Sequence, residues 1–137
     1  MPKFTLPLNN QNQLIAPVFI ILDNNMPPKD TLQARALFYT GANVSCITES
    51  AAKHLKLKPI GKVSVATASN NIFCNKYRIK LSLPFPTNDP FTVRMSEILN
   101  SEVTETQNNP NFDIIIGMDI ISLGILIVSG NTFTFSI

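Results

Sequence analysis

A chain of 137 residues is long enough to bury a core and short of the length at which a second domain is expected, so one domain spanning 1–137 is the starting expectation. With 45% hydrophobic and only 15% charged residues it is no disordered tail, and its net charge of +2 comes from basic residues scattered along the chain, which leaves no electrostatic footprint for nucleic acid. The N-terminus lacks a charged region followed by an apolar run and a small-residue cleavage site, and the apolar tract from Phe112 to Val128 is broken by Asp113, Asp119 and two glycines; the expectation is no signal peptide, a tract that belongs to the core, and a cytoplasmic location.

In chain order, Leu14 to Leu22 is nearly continuously apolar, with Pro17 near its start, and reads as a strand; the polar stretch Asp23 to Lys29 follows as a linker. From Thr31 to Phe38 the residues Leu32, Ala34, Ala36 and Phe38 share one face, the period-two signature of a strand. Glu49 to Leu55 fits a short helix with Thr48 as N-cap. Lys62 to Ala68 is a further strand, and from Lys76 to Leu83 the residues Tyr77, Ile79, Leu81 and Leu83 oppose a solvated face of Lys76, Arg78 and Lys80. Pro84 to Pro90, with three of the ten prolines, predicts a linker, Phe91 to Leu99 a strand, and the polar stretch Asn100 to Asn111 a long mobile loop. Phe112 to Ile116, Ile125 to Ser129 and the alternating Thr132 to Ile137 complete the strands, with a second short helix over Met118 to Leu123 ended by Gly124. Seven or eight short strands and two helices of about two turns predict an all-β domain, closed or sandwiched. Cys46 and Cys74 both fall in apolar stretches and are expected as reduced, buried thiols, too few for a disulfide framework.

The segment that carries chemistry runs Ala36-Leu37-Phe38-Tyr39-Thr40-Gly41-Ala42-Asn43-Val44-Ser45: an apolar strand, a tight turn, then a second apolar strand beginning near a small hydroxyl residue. Further on, Phe112-Asp113-Ile114-Ile115-Ile116-Gly117-Met118-Asp119 is an apolar strand ending in Gly at the start of a short helix. Order and spacing of the two segments resemble the retropepsin-like, or retroviral-type, aspartic proteases, in particular their single-lobe bacterial and retroelement members, over roughly Leu14 to the C-terminus. The resemblance implies a closed β-barrel half-lobe, a homodimer whose two turns share one acid–base site, and peptide hydrolysis by water with no cofactor and no metal. It assigns the family's catalytic turn to Tyr39, Thr40 and Gly41, and peptide contacts to Ala42 and Asn43. Thr67, Ala68 and Ser69 would add peptide contacts from the tip of a flap over about residues 63–74, and Ser45, Ile116, Gly117 and Asp119 would hold the turn. Terminal strands build the dimer interface in that family, and the alternating strand Thr132 to Ile137, read as an exposed edge, is expected to do so here.

One residue departs from the pattern: Tyr39 stands where the family has its aspartate. A water-activating carboxylate needs a turn at the floor of a cleft, with Gly allowing close backbone approach and Thr locking the loop by a hydrogen bond. Two such carboxylates across a dimer axis share a proton, one acting as base and the other as acid. A phenol ionises at a pKa of roughly 10 against about 4 for a carboxyl group, so near pH 6 only on the order of one phenol in ten thousand is ionised. Two phenol rings at the axis would also overfill a site shaped for two carboxylates. The expectation is a peptide-binding chain without turnover; the alternatives are a natural pseudoprotease serving as a binding or assembly module, and a half-enzyme paired with an Asp-bearing partner.

Other residues have plainer readings. An aromatic at a strand end is most often packing, so Tyr39 itself is expected in core or interface contacts. Asp113 before its strand, Asp119 in the first turn of its helix and Asp30 in a loop read as structural carboxylates. His54, the only histidine, reads as a surface residue with no metal-ligand spacing around it. Ser45 reads as a buried hydroxyl rather than a nucleophile, Cys46 as a buried thiol, and none of the five glycines forms a phosphate-binding loop.

Overall fold

The computed structural model describes residues 1–137. In chain order the elements are β1 (Lys3–Pro7), β2 (Ile15–Ile21), β3 (Thr31–Phe38), β4 (Cys46–Thr48), α1 (Glu49–His54), β5 (Gly61–Ala66), β6 (Asn71–Ser82), β7 (Pro84–Pro86), β8 (Val93–Met95), β9 (Leu99–Thr106), β10 (Ile114–Ile116), α2 (Met118–Ile121), β11 (Ile125–Ser129) and β12 (Thr132–Ser136). The all-β fold expected from the alternating segments is observed.

Seven strands form one sheet in the order β2-β3-β10-β4-β9-β6-β5, and β2 pairs β6 as well, so the sheet curls until its sixth strand meets its first. Closure of this kind satisfies edge backbone groups that would otherwise face water. Only β5 stays outside the ring, paired to β6 alone as an antiparallel hairpin from Gly61↔Lys76 to Ala66↔Asn71. A separate antiparallel sheet has the order β1-β12-β11, and β7 and β8 form a small ribbon.

Side-chain alternation explains the core. On β3 the face predicted to be apolar is the inner one, with Ala34, Ala36 and Phe38 buried, and on β6 Tyr77, Ile79 and Leu81 are buried while Arg78 is exposed. The centre is aromatic: Phe38 of β3 lies 5.1 Å from Phe135 of β12 and meets Phe4 of β1 edge-on at 5.9 Å, while Phe4 stacks on Phe85 of β7 at 5.8 Å. These contacts fasten the three-stranded sheet to the ring. Helix α1 starts where predicted, with the Thr48 hydroxyl accepting from the Ala51 N–H.

Five expectations are corrected. The stretch Asn100 to Asn111 is no mobile loop, because Leu99–Thr106 is the strand β9 at the heart of the ring, between β4 and β6. Its outward face is polar because it carries the partners of β6: Glu102 binds Lys76 at 3.0 Å and Arg78 at 3.1 Å. The strand expected over Phe91 to Leu99 is only Val93–Met95, and its partner comes from the proline-rich stretch, where Pro84–Pro86 pairs with it. Lys3–Pro7, for which the sequence pattern predicts no element, is a strand through its register with β12, Phe4↔Phe135 and Leu6↔Phe133. That pairing makes the C-terminal strand interior, flanked by β1 and β11, so the edge argument does not apply to it. Finally, Cys46 and Cys74 are half-buried rather than buried.

Candidate functional site

The turn from Tyr39 to Ser45 is built by the strands on either side of it. β10 runs parallel to β3, with Ile116 opposite Phe38, and antiparallel to β4, with Ile115 opposite Cys46. The chain leaving β3 must therefore arch over the end of β10 to reach β4. The Tyr39 N–H donates to the Ile116 carbonyl at 2.9 Å, and the Ala42 N–H donates back to the Tyr39 carbonyl at 3.2 Å, closing the turn.

The segment after β10 locks the arch from below. Gly117 sits so close that a Cβ there would lie 2.8 Å from the Ala42 carbonyl oxygen and from the backbone of Val44, which leaves room for glycine alone. Met118 and Asp119 donate their N–H groups to the carbonyls of Ala42 and Asn43 at 2.8 and 3.2 Å. The buried Ser45 hydroxyl accepts from the Gly117 N–H at 3.0 Å and donates to Asp119 Oδ1 at 2.8 Å, while the Ser45 N–H donates to Asp119 Oδ2 at 3.0 Å. Asp119 also caps the first turn of α2 by accepting from the Ile120 N–H. Tyr39, Ala42, Asn43, Ser45, Ile116, Gly117 and Asp119 are thus brought into one hydrogen-bonded unit.

Tyr39 does not pack into the core: its side chain is 51% exposed and lies over Gly41, where an added Cβ would come within 2.6 Å of the ring. Of the core or interface packing expected of a strand-end aromatic, the core contact is absent because Phe38, one residue earlier, already fills the inward position. Thr40 is exposed and its hydroxyl makes no hydrogen bond within the chain, so the lock expected of it is supplied by Ser45 and Asp119 instead.

Every neighbouring carboxylate is engaged elsewhere. Asp113 accepts from the Arg35 backbone N–H at 3.0 Å and forms an ion pair with its guanidinium at 3.2 Å. Arg35, whose guanidinium also donates to the Pro110 carbonyl, is a clamp that the sequence signalled only as a lone cation on the outer face of β3. Asp30 lies at the opposite end of β3 from Tyr39, its N–H held by Asp23. Cys46 donates only to the Val44 carbonyl; burial first, then the Asp119 carboxylate, holds its thiol above the ordinary value. A thiol so placed, with no imidazole beside it, is no activated nucleophile.

The β5–β6 hairpin forms where the flap was expected. Its tip is turned by Thr67, whose N–H and hydroxyl both donate to the Asn70 carbonyl, at 2.8 and 2.6 Å, leaving Thr67, Ala68 and Ser69 exposed. Val63 and Val65, opposite Cys74 and Ile72, give the hairpin one apolar face, and Phe73 on the other face is 76% exposed. No hydrogen bond joins this tip to the Tyr39 turn. Cavities lie elsewhere, such as one of 410 Å³ lined by Phe85, Met95, Leu99 and Leu123. His54 is exposed on α1, no group of three or more His, Cys, Asp or Glu side chains comes together, and no helix is long and apolar enough to cross a membrane.

Comparison with known proteins gives the same picture. The family model described as aspartyl protease matches residues 29–120, from the end of the β2–β3 loop into α2. Among solved structures, a retropepsin-like aspartic protease from Rickettsia conorii is similar at 10% identity, with 97% of this chain and 89% of that chain covered and a TM-score of 0.61. The protease of simian foamy virus (mac) is similar at 14% identity over 80% of this chain and 91% of that chain, with a TM-score of 0.50. No curated protein matches the chain. At those identities the structural likeness is one of fold, retropepsin-like, and the family assignment rests on the sequence match across most of the chain: this protein belongs to the aspartyl protease family.

Proposed function

We propose that the chain is one subunit of a retropepsin-like dimer that binds extended peptide and does not hydrolyse it, because Tyr39 occupies the place of the catalytic aspartate. The observation that carries the reading is the Tyr39–Ser45 arch. Its backbone is tied to Ile116 through Tyr39 and to α2 through Ala42, Asn43 and Ser45, it projects an exposed residue 39, and no free carboxylate lies in it. Peptide contacts fall to Ala42 and Asn43 on the floor and to the Thr67–Ser69 tip of the hairpin above. Proton transfer to and from an attacking water requires a group poised between acid and base near the working pH, which a phenol is not.

A second reading, a binding or assembly module, draws on the same exposure of Tyr39: a half-exposed phenol offers a flat apolar ring and a polar tip, the combination favoured at protein interfaces. The substitution Tyr39→Asp separates the two. If the remainder of the site is that of a peptidase, the variant cleaves unfolded polypeptide and pepstatin stops it, while the unsubstituted chain shows no turnover. Turnover by the unsubstituted protein would sink the proposal of inactivity, and a folded, dimeric Tyr39→Asp variant without turnover would favour the module.

A further inference from the structure

The two-stranded ribbon of β7 and β8 has one closed edge and one open edge. The Ser96 N–H donates to the Leu83 carbonyl at 2.8 Å, so Leu83 and Ser96 form a hydrogen-bonded pair just past the ribbon. By the alternation of antiparallel ladders Phe85↔Arg94 is the next such pair, and Pro84↔Met95 and Pro86↔Val93 fall on the positions without hydrogen bonds. The outward groups of β7 are therefore those of Pro84 and Pro86, which have no N–H to give, and that edge is closed. The outward groups of β8 are the N–H and C=O of Val93 and Met95. No third strand covers them, no loop hydrogen bond reaches them, and both residues are exposed. An edge of this kind is an open template for strand addition.

Each face of the ribbon opens on a cavity. Phe85 and Arg94 share one face, and both line the cavity of 410 Å³, which lies between the ribbon and the chain at Pro2 and Ile137. Met95 is on the other face, where a second cavity of 350 Å³ is walled by Phe19 of β2, by Pro27 and Pro28, and by Ile98. Thr31 lines this second cavity, so the open edge sits at the opposite end of β3 from the Tyr39 arch. Charge then selects the occupant. Arg94, at the centre of β8, is exposed and forms no ion pair. Two copies of β8 pairing through Val93 and Met95 would set one Arg94 directly against the other at the position where cross-strand side chains come closest, and like charges so placed are destabilising. A carboxylate at that place is stabilising instead. Glu97, further along the wall of the 410 Å³ cavity and also without an ion pair, disfavours a second acid beside the first.

We propose that the β8 edge is a docking site for an extended segment of another protein, which adds to the ribbon as a third, antiparallel strand. The segment reads apolar, acidic, apolar. Its acid stands opposite Arg94, its apolar neighbours stand opposite Val93 and Met95, and the one at Met95 enters the cavity walled by Phe19, Pro27 and Ile98. Its backbone takes up the free N–H and C=O groups of Val93 and Met95. The site is separate from the arch and holds whether or not the arch cleaves peptide.

Peptide titration read by amide hydrogen exchange tests the site. The probes are two capped peptides, Ser-Thr-Ile-Glu-Ile-Thr-Ser and the same peptide with Lys in place of Glu. The Glu peptide should slow exchange of the Val93 and Met95 N–H groups, both fast in the free chain, and leave that of Arg94, already paired with Phe85, unchanged. It should bind about fivefold more tightly than the Lys peptide, and Arg94→Glu, a change on an exposed side chain, should reverse that order with unchanged circular dichroism. Binding that slows exchange only at the Tyr39–Ser45 turn, equal binding of the two peptides, or no binding of either overturns the proposal. So does slowing of the Val93 and Met95 amides by raised protein concentration alone, which would make the partner a second copy of this chain.

Discussion

Ser45 does more for the site than its size suggests. Its hydroxyl serves Gly117 and Asp119 at once and its N–H serves Asp119 again, so one side chain joins the arch, the end of β10 and the first turn of α2. Ser45→Ala leaves the Gly117 N–H without an acceptor and removes a donor from a carboxylate in a buried setting, and should cost about 1–3 kcal/mol in urea unfolding. Residue 39 behaves in the opposite way. Its side chain is half exposed and hydrogen-bonds to nothing, so Tyr39→Asp, whatever it does to turnover, should shift stability by no more than about 0.5 kcal/mol.

Among the elements, β9 was the hardest to see in the sequence and has the clearest electrostatic signature. Of its residues only Leu99 and Val103 are apolar, because Asn100, Glu102 and Thr104 face outward against Lys80, Arg78 and Lys76 of β6. A pattern of ion pairs between strands looks like a loop when one strand is read alone. Hydrogen bonds from Lys76 and then Arg78 hold the Glu102 carboxyl below its ordinary range. A carboxyl whose folded pKa is depressed supports the fold above its unfolded pKa, near 4.3, and the support is lost as pH falls through the folded value. The pairs are solvent-exposed, so the effect is modest. The urea midpoint of the unsubstituted chain should therefore drop more steeply below about pH 5 than that of Glu102→Gln, with the two curves running parallel above it.

At the scale of the whole molecule, stability is concentrated where the two sheets meet. Phe38 contacts Phe4, Phe133 and Phe135, so Phe38→Ala opens a void between β3 and the three-stranded sheet and should cost about 3–5 kcal/mol, visible as a large fall in melting temperature. Against a typical total of about 5–15 kcal/mol, that loss leaves little margin. The inward face of β3 was legible because its partners are hydrophobic and local alternation reports them directly. So were the Thr48 cap and the segments flanking Gly41 and Gly117, whose turn chemistry is local. The closure of β2 on β6, the covering of β12 by β1 and the Arg35–Asp113 clamp were not, since each joins residues far apart in sequence whose individual patterns are ordinary. The tightness of Gly117 against Ala42 and Val44 has a further consequence. Because the arch is shaped by backbone contacts and by Ser45 and Asp119, folding places almost no demand on the identity of residue 39, and the unsubstituted chain and Tyr39→Asp should melt alike. Screens for folded, abundant protein are blind at that position, and only a screen for bond cleavage can tell which residue it holds.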